Sequence, residues 1–145
     1  HNGDVELLVV ADSAHTWPQD TEGRYTLQPL VQTFRPDALI TLGDFSAVHA
    51  TAMAHAGAPF TAGVYGNHCT QDYMPSNGIV DLIGDRTSPA SRGTLRLPGH
   101  RALSTLAVQG CVRYKPDVDD VLFTEETEIN LKPSTDRDLV LAVGS

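Results

Sequence analysis

Residues 38–44, which read ALITLGD, decide the fold of this chain. A continuous apolar run of this length is typical of a strand that is covered on both faces of a sheet. Gly43 then lets the backbone turn sharply, and Asp44 follows directly after the turn. The stretch therefore predicts an interior strand of a sheet with a carboxylate beyond its carboxyl end.

Two further apolar runs share this design, and helical segments separate the three. Residues 5–11 (VELLVVA) precede Asp12, and residues 60–65 (FTAGVY) precede Gly66. Between the runs, residues 27–34 carry apolar side chains at helical spacing, and residues 46–56 form a small-residue segment that Gly57 ends. The alternation of strand and helix predicts a parallel sheet with right-handed crossovers.

The second half of the chain has a different character, with short strand-like pieces in place of alternating helices and strands. We predict strands at residues 78–83, 94–97, 103–109 and 138–143, a turn at 98–101, and a helix at 119–131. The whole chain, residues 1–145, is expected to form a single domain. Its fold class is α/β (α+β), a sandwich of mixed sheets flanked by helices.

Composition narrows the possible functions. The net charge of −8 argues against an extended nucleic-acid surface, although bound cations would still let an acidic cleft accept a nucleotide. No apolar run approaches the roughly 20 residues that span a bilayer, so we expect no membrane association. Two cysteines make no disulfide framework, and a cytoplasmic location is the default expectation.

Polar residues of metal-ligand type follow each of the first three strands: Asp12, Asp44, and the pair Asn67 and His68. The ligand crevice of an open α/β sheet lies at the carboxyl ends of its strands, so these side chains are expected to converge. Oxygen and imidazole donors together suit Mn, Fe, Zn or Mg. Alone, each aspartate is more often a cap or turn residue, Gly-Asn is more often a turn, and His68 is more often a surface or core residue. Only the joint pattern favours a site.

The sequences LGD at residues 42–44 and GNH at residues 66–68, with an aspartate closing the first strand, resemble the calcineurin-like metallophosphoesterase family. The motifs of that family run Asp-x-His, Gly-Asp, Gly-Asn-His-Asp/Glu, a lone His, and Gly-His-x-His. The match covers residues 5–72, and a weaker resemblance continues through GCVRY at residues 110–114 and the last strand. The resemblance implies the sandwich fold of the family and two divalent metal ions.

Carried over residue by residue, the resemblance implies that Asp12 binds the first ion, Asp44 bridges both ions, and Asn67 binds the second. It implies that His68 stabilises the transition state or protonates the leaving group. His15 is a further candidate ligand if the loop after the first strand bulges. His49, about a turn into the helix after Asp44, could reach the substrate, with solvent exposure as the alternative.

The chain departs from the family pattern at four places. Ala14 stands where the first motif has its histidine, and Cys69 replaces the acidic residue after Asn-His. Gly144 and Ser145 follow the last strand where a metal-binding histidine is common, and no Gly-His-x-His is present. His100 belongs to an earlier Gly-His pair that reads as a surface turn. Either the natural chain continues past Ser145 with the missing histidines, or this is a reduced family member that binds metal weakly or not at all.

Two functions follow from these patterns. The first is a metal-dependent hydrolase, a phosphodiesterase or phosphomonoesterase that cleaves a small phosphate ester or nucleotide with a metal-activated water. The second is a catalytically degenerate domain that keeps the sandwich for a structural or protein-binding role, for example in a phage or bacterial assembly.

Overall fold

The computed structural model describes residues 4–11, 24–66, 69, 73–84, 90–108 and 140–143 of the chain. Ten regular elements occur within these ranges. In chain order they are β1 (Leu7–Val10), α1 (Arg24–Phe34), β2 (Ala38–Thr41), α2 (Ala47–Ala54), β3 (Thr61–Gly63), α3 (Tyr73–Ser76), β4 (Val80–Asp81), β5 (Ala90–Leu95), β6 (Leu103–Val108) and β7 (Val140–Val143).

The first four strands form one parallel sheet in the order β1-β2-β3-β4. The register sets Val10 beside Thr41 and Thr41 beside Gly63, so β1, β2 and β3 end on a common rung. The parallel sheet predicted from the three apolar runs is confirmed. The observed strands are shorter than the apolar runs, because the outer residues of each run belong to the connecting turns.

The two faces of β2 serve different cores, which explains its continuous apolar sequence. Leu39 packs with Leu27 and Val31 of α1 in a helix-side cluster that also includes Met53 of α2. Ala38 and Ile40, which point the other way, belong to a second cluster on the opposite face. Burial on both faces of the strand removes the polar alternation that a half-exposed strand would show.

The second sheet has the order β5-β6-β7 and covers that opposite face. Strands β5 and β6 form an antiparallel hairpin that closes from Leu95 and Leu103, whereas β7 runs parallel to β6. Leu97, Leu103 and Ala107 contribute this sheet's share of the second cluster. The described residues therefore form three layers: helices, the parallel sheet, and the second sheet.

Helix ends follow local sequence signals. Arg35, at a φ of 45°, ends α1 directly before Pro36, as predicted. Ser46 is the N-cap of α2, and Gly57, at a φ of 92°, follows its carboxyl end. Helix α3 was not predicted, because four residues are too few to show a helical period. The helix predicted at residues 119–131 lies outside the described residues.

A three-part hydrogen-bonded junction lies at the amino-terminal edge of the parallel sheet. The Glu6 amide donates to Oδ2 of Asp37 at 2.8 Å, and the Asp37 amide donates to the Glu6 carbonyl at 2.8 Å. His100 Nε2 lies 2.9 Å from Oδ1 of Asp37. This contact joins the turn between β5 and β6 to the parallel sheet. The turn at residues 98–101 is as predicted, but the His100 side chain is only 17% exposed and contacts Asp37. Across the described ranges, no helix is long and apolar enough to cross a membrane.

Candidate functional site

The carboxyl ends of β1, β2 and β3 lie side by side, because the three strands are parallel neighbours. From their common rung, the chain reaches Asp12 two residues after Val10 and Asp44 three residues after Thr41. Asn67 follows Gly63 by four residues. The strand ends that precede the three candidate positions therefore lie at one edge of the sheet. Asp44 lies within the described part of the chain, whereas Asp12, His15, Asn67 and His68 lie outside it.

Two glycines let the turns after β2 and β3 pack backbone against backbone. Gly43 has a φ of 113°, and a β-carbon added there would overlap the backbone nitrogen of Gly66 and lie 2.9 Å from the carbonyl carbon of Tyr65. The Gly43 amide donates to the Thr41 side-chain oxygen at 3.2 Å, which closes the first turn. A side chain on Gly43 would therefore separate the two turns.

Asp44 is buried with a strained backbone. Only 4% of the surface of Asp44 is exposed, and its φ is 58°. Aspartate tolerates the left-handed conformation better than most residues, but glycine or asparagine adopts it at lower cost. Burial of a carboxylate is also unfavourable unless it has polar or cationic partners. The strained backbone therefore falls at the residue that the resemblance singled out as the bridging ligand.

Cys69 connects the two turns. The Gly66 amide donates to its sulfur at 3.3 Å, and the thiol donates to the Phe45 carbonyl at 3.8 Å. Burial raises the pKa of the Cys69 thiol above its ordinary value of 9.0, and the negative charge of Asp44 acts in the same direction. The thiol therefore stays protonated at neutral pH, as its bond to the Phe45 carbonyl requires. The prediction of a buried small thiol is confirmed for Cys69, and Cys111 lies outside the described residues.

An aromatic pair supports the same two turns from the helix side. The rings of Phe45 and Tyr65 stack with centroids 5.6 Å apart and planes inclined by 25°. The Tyr65 hydroxyl accepts the Met74 amide of α3 at 2.9 Å. Sequence reasoning missed this pair, although each aromatic residue directly adjoins a motif residue. That adjacency, Phe45 after Asp44 and Tyr65 before Gly66, is the signal that could have found it.

His49 is buried, with 4% of its surface exposed, so the expected alternative of solvent exposure is wrong. The reason lies in the packing of α2, in which Ala50, Ala52 and Met53 are buried as well. Nδ1 of His49 accepts the Ser46 amide at 3.3 Å and lies 2.9 Å from the Ser46 hydroxyl. His55, on another side of the helix, is exposed, and its Nδ1 lies 2.8 Å from the Thr51 carbonyl.

The described part of the site supplies one carboxylate, and a complete metal centre would need more. Among residues 4–11, 24–66, 69, 73–84, 90–108 and 140–143, no group of three or more His, Cys, Asp or Glu side chains could hold a metal ion. Asp44 is the described candidate ligand, and its proposed partners belong to the segments that follow β1 and β3. The described ends of these two strands lie at the same edge of the sheet as the end of β2.

Comparison with known proteins adds no assignment, because no protein-family model, curated protein or solved structure matches the chain. The class that the described residues define is a mixed α/β fold with a four-stranded parallel sheet, a second sheet and flanking helices. Its candidate site lies at the carboxyl edge of the parallel sheet, around a buried aspartate between two glycine turns.

Proposed function

We propose that this chain is a metal-dependent phosphoesterase of the calcineurin-like metallophosphoesterase type, which hydrolyses a small phosphate ester or nucleotide. The observation that carries the proposal is Asp44, a buried carboxylate at positive φ beyond an interior strand. A strained backbone at a buried polar residue is typical of functional sites, where the surrounding structure imposes the cost. The motif order around Asp44 supports the same reaction class.

In the proposed site, two divalent ions are held by Asp44 together with Asp12 and Asn67. His15 is a further candidate ligand. Carboxylate, amide and imidazole donors suit Mn, Fe, Zn or Mg, which fits these four residues by chemistry. The bound ions would supply a water of lowered pKa and would neutralise charge on the phosphoryl group. His68 would contribute a proton or a hydrogen bond to the reacting phosphate.

A specific observation favours a second function, a degenerate domain with a structural or protein-binding role. Cys69 occupies the position where the family has an acidic residue, and its thiol is fully buried and hydrogen-bonded to both turns. Such a thiol holds the turns together whether or not metal binds. Under this alternative the sandwich persists after the loss of catalysis.

The proposed setting is the reducing cytoplasm. Cys69 is a free thiol, and the chain has only one other cysteine. Small oxidised domains usually carry several cysteines in pairs, so this usage favours a reducing compartment.

Hydrolysis of a chromogenic phosphate ester in the presence of Mn²⁺ tests the proposal. Asp44→Asn keeps the side-chain shape but removes the charge, and we expect it to lower kcat by about 100-fold or more. Asp81→Asn is the matched control: Asp81 ends the neighbouring strand β4, and its Oδ1 accepts the Ile83 and Gly84 amides, which an amide oxygen can still do. We expect the control to retain activity.

Metal content separates the two functions. Stoichiometric Mn²⁺ or Zn²⁺ in the wild-type protein, lost in Asp44→Asn, supports the enzyme. A folded protein that neither binds these ions nor hydrolyses the ester supports the degenerate domain. Equal hydrolysis by wild type and Asp44→Asn would remove Asp44 from the mechanism.

A further inference from the structure

The first turn of α2 contains an unusual capping arrangement. In a capping box, a glutamate or glutamine three residues after the N-cap accepts the N-cap amide. Here that position is His49, and its Nδ1 accepts the Ser46 amide at 3.3 Å. The Ser46 hydroxyl lies 2.9 Å from the same nitrogen. The backbone amide and the hydroxyl of Ser46 therefore both contact Nδ1 of the buried His49 imidazole.

This geometry fixes where the proton of His49 resides. A backbone N–H can only donate, so Nδ1 must offer its lone pair, and the neutral ring must carry its proton on Nε2. The Ser46 hydroxyl can rotate to donate to Nδ1 as well, which strengthens the same preference. Ser46 thus selects the tautomer of His49.

The hydrogen bond at Nδ1 of His49 runs in the opposite direction to the one that usually supports a metal-binding histidine. A histidine that ligates through one nitrogen almost always donates the N–H of its other nitrogen to a carboxylate, a carbonyl or water. Nδ1 of His49 faces a donor in Ser46, so ligation through Nε2 would leave two N–H groups pointed at each other or an anionic ring. Ligation through Nδ1 would displace both contacts to Ser46.

We infer that Ser46 is the positioning residue that holds His49 in the tautomer protonated on Nε2, so that His49 offers the site a hydrogen-bond donor and does not ligate metal. The inference rests on the proposed function and deepens it, because it gives His49, a candidate substrate-binding residue, a defined hydrogen-bond direction. The acceptor of that hydrogen bond is either a group of the chain or a phosphate oxygen of the substrate. The imidazole ligands of a two-metal site must then come from other histidines.

The tautomer is measured directly by long-range ¹H–¹⁵N correlation spectra of the ¹⁵N-labelled protein at pH 8, without metal or substrate. We expect the pattern of a ring protonated on Nε2. In Ser46→Ala, which loses the closer of the two contacts, we expect the Nδ1-protonated form to increase several-fold. Ser46→Thr, which retains a hydroxyl, should restore the wild-type pattern. A wild-type spectrum with the proton on Nδ1 would overturn the inference without any variant.

Added Zn²⁺ and inorganic phosphate test the role. Zn²⁺ should leave the Nε2 proton of His49 in place, and replacement of that proton by the metal would overturn the inference. A shift of the Nε2–H resonance on addition of phosphate identifies a phosphate oxygen as the acceptor. An unchanged resonance, with the Nε2 proton retained, excludes a phosphate oxygen and assigns the acceptor to the chain.

Two substitutions at His49 separate folding from function. His49→Gln restores an ordinary capping box, because its side-chain oxygen can accept the Ser46 amide, but it lacks the imidazole. We expect it to keep wild-type stability and to lose about 10-fold in kcat/KM, whereas His49→Ala should lose both. Full activity in a stable His49→Gln protein would contradict the donor role. If the tautomer is as expected but no variant or wild type hydrolyses the ester, the proposed function fails and the tautomer assignment stands.

Discussion

Gly43 and Gly66 lie so close that a β-carbon on the first would overlap the backbone nitrogen of the second. A similar approach occurs one step earlier, where a β-carbon on Gly63 would overlap the side chain and carbonyl of Thr41. At these two positions, near the candidate site, the close approach of the chain segments leaves no room for a β-carbon. The Gly-Asp motif begins with a glycine for this steric reason.

Gly43→Ala should destabilise the protein by about 3 kcal/mol or more, because the new methyl group meets backbone atoms and the φ of 113° is unfavourable for alanine. Gly57→Ala is the matched control: its φ is 92°, and nothing lies within 4 Å of an added β-carbon. The control should lose only about 1 kcal/mol. Urea unfolding of both variants measures the difference, and equal losses would mean that the contact with Gly66 costs nothing.

Thr41→Val should loosen the turn that carries Asp44. Valine keeps the volume of the buried threonine but removes the oxygen that accepts the Gly43 amide, at a cost of about 1–3 kcal/mol. Hydrogen exchange of the Gly43 amide should accelerate in Thr41→Val. Thr41→Ser, which keeps the oxygen and loses a methyl group, should leave that exchange rate near the wild-type value. Acceleration of the same size in both variants would assign the effect to packing.

Cys69 should resist thiol reagents in the folded protein. Its burial raises the thiol pKa and blocks access, so in a Cys111→Ser background we expect modification by a disulfide reagent at pH 8 to be about 100-fold slower than in urea. Fast modification under native conditions would show that the two turns open readily.

The raised pKa of Cys69 also predicts a loss of stability in alkali. The unfolded chain releases the thiol proton near 9.0, before the folded protein does, so the stabilising contribution is complete below that pH and declines as the pH rises through the folded value. Cys69→Ser should lack this alkaline decline. Unfolding free energies measured from pH 7 to pH 10.5 in the Cys111→Ser background provide the comparison.

Asp37 should contribute to acid sensitivity. The Glu6 amide, and then the hydrogen bond with His100, lower the pKa of Asp37 below 3.8. A lowered pKa stabilises the fold above the unfolded value and loses this effect as the pH falls through the folded value. The stability difference between wild type and Asp37→Asn should therefore shrink below about pH 4. Asp4→Asn, at an exposed position of the same segment, is the control for the removal of one carboxylate.

Local signals in the sequence predicted the parts of the fold that local physics determines. The continuous apolar run of β2 predicted burial on both faces, Pro36 predicted the end of α1, and residues 98–101 predicted the turn between β5 and β6. These features depend on neighbours in the chain. They could therefore be predicted without knowledge of the tertiary packing.

Contacts between distant segments were beyond the same reasoning. The hydrogen bond between His100 and Asp37 joins residues 63 positions apart, and the hydrogen bond from Cys69 to Phe45 joins residues 24 apart. The burial of His49 depends on how closely α2 packs, which its alanine-rich sequence does not specify. For the candidate site, sequence predicted the strand ends and the position of Asp44, and the roles of Asp12, His15, Asn67 and His68 stay predictions.

The junction of Glu6, Asp37 and His100 lies at the opposite end of β2 from Asp44, about 13 Å away along a four-residue strand. Residues of the junction and residues of the candidate site can therefore change independently in evolution. Segments beyond Asp44 can gain or lose candidate ligands while the hydrogen bonds of the junction keep the two sheets together. Under either proposed function, the hydrogen bonds that join the two sheets would persist whether or not the opposite end of β2 binds metal.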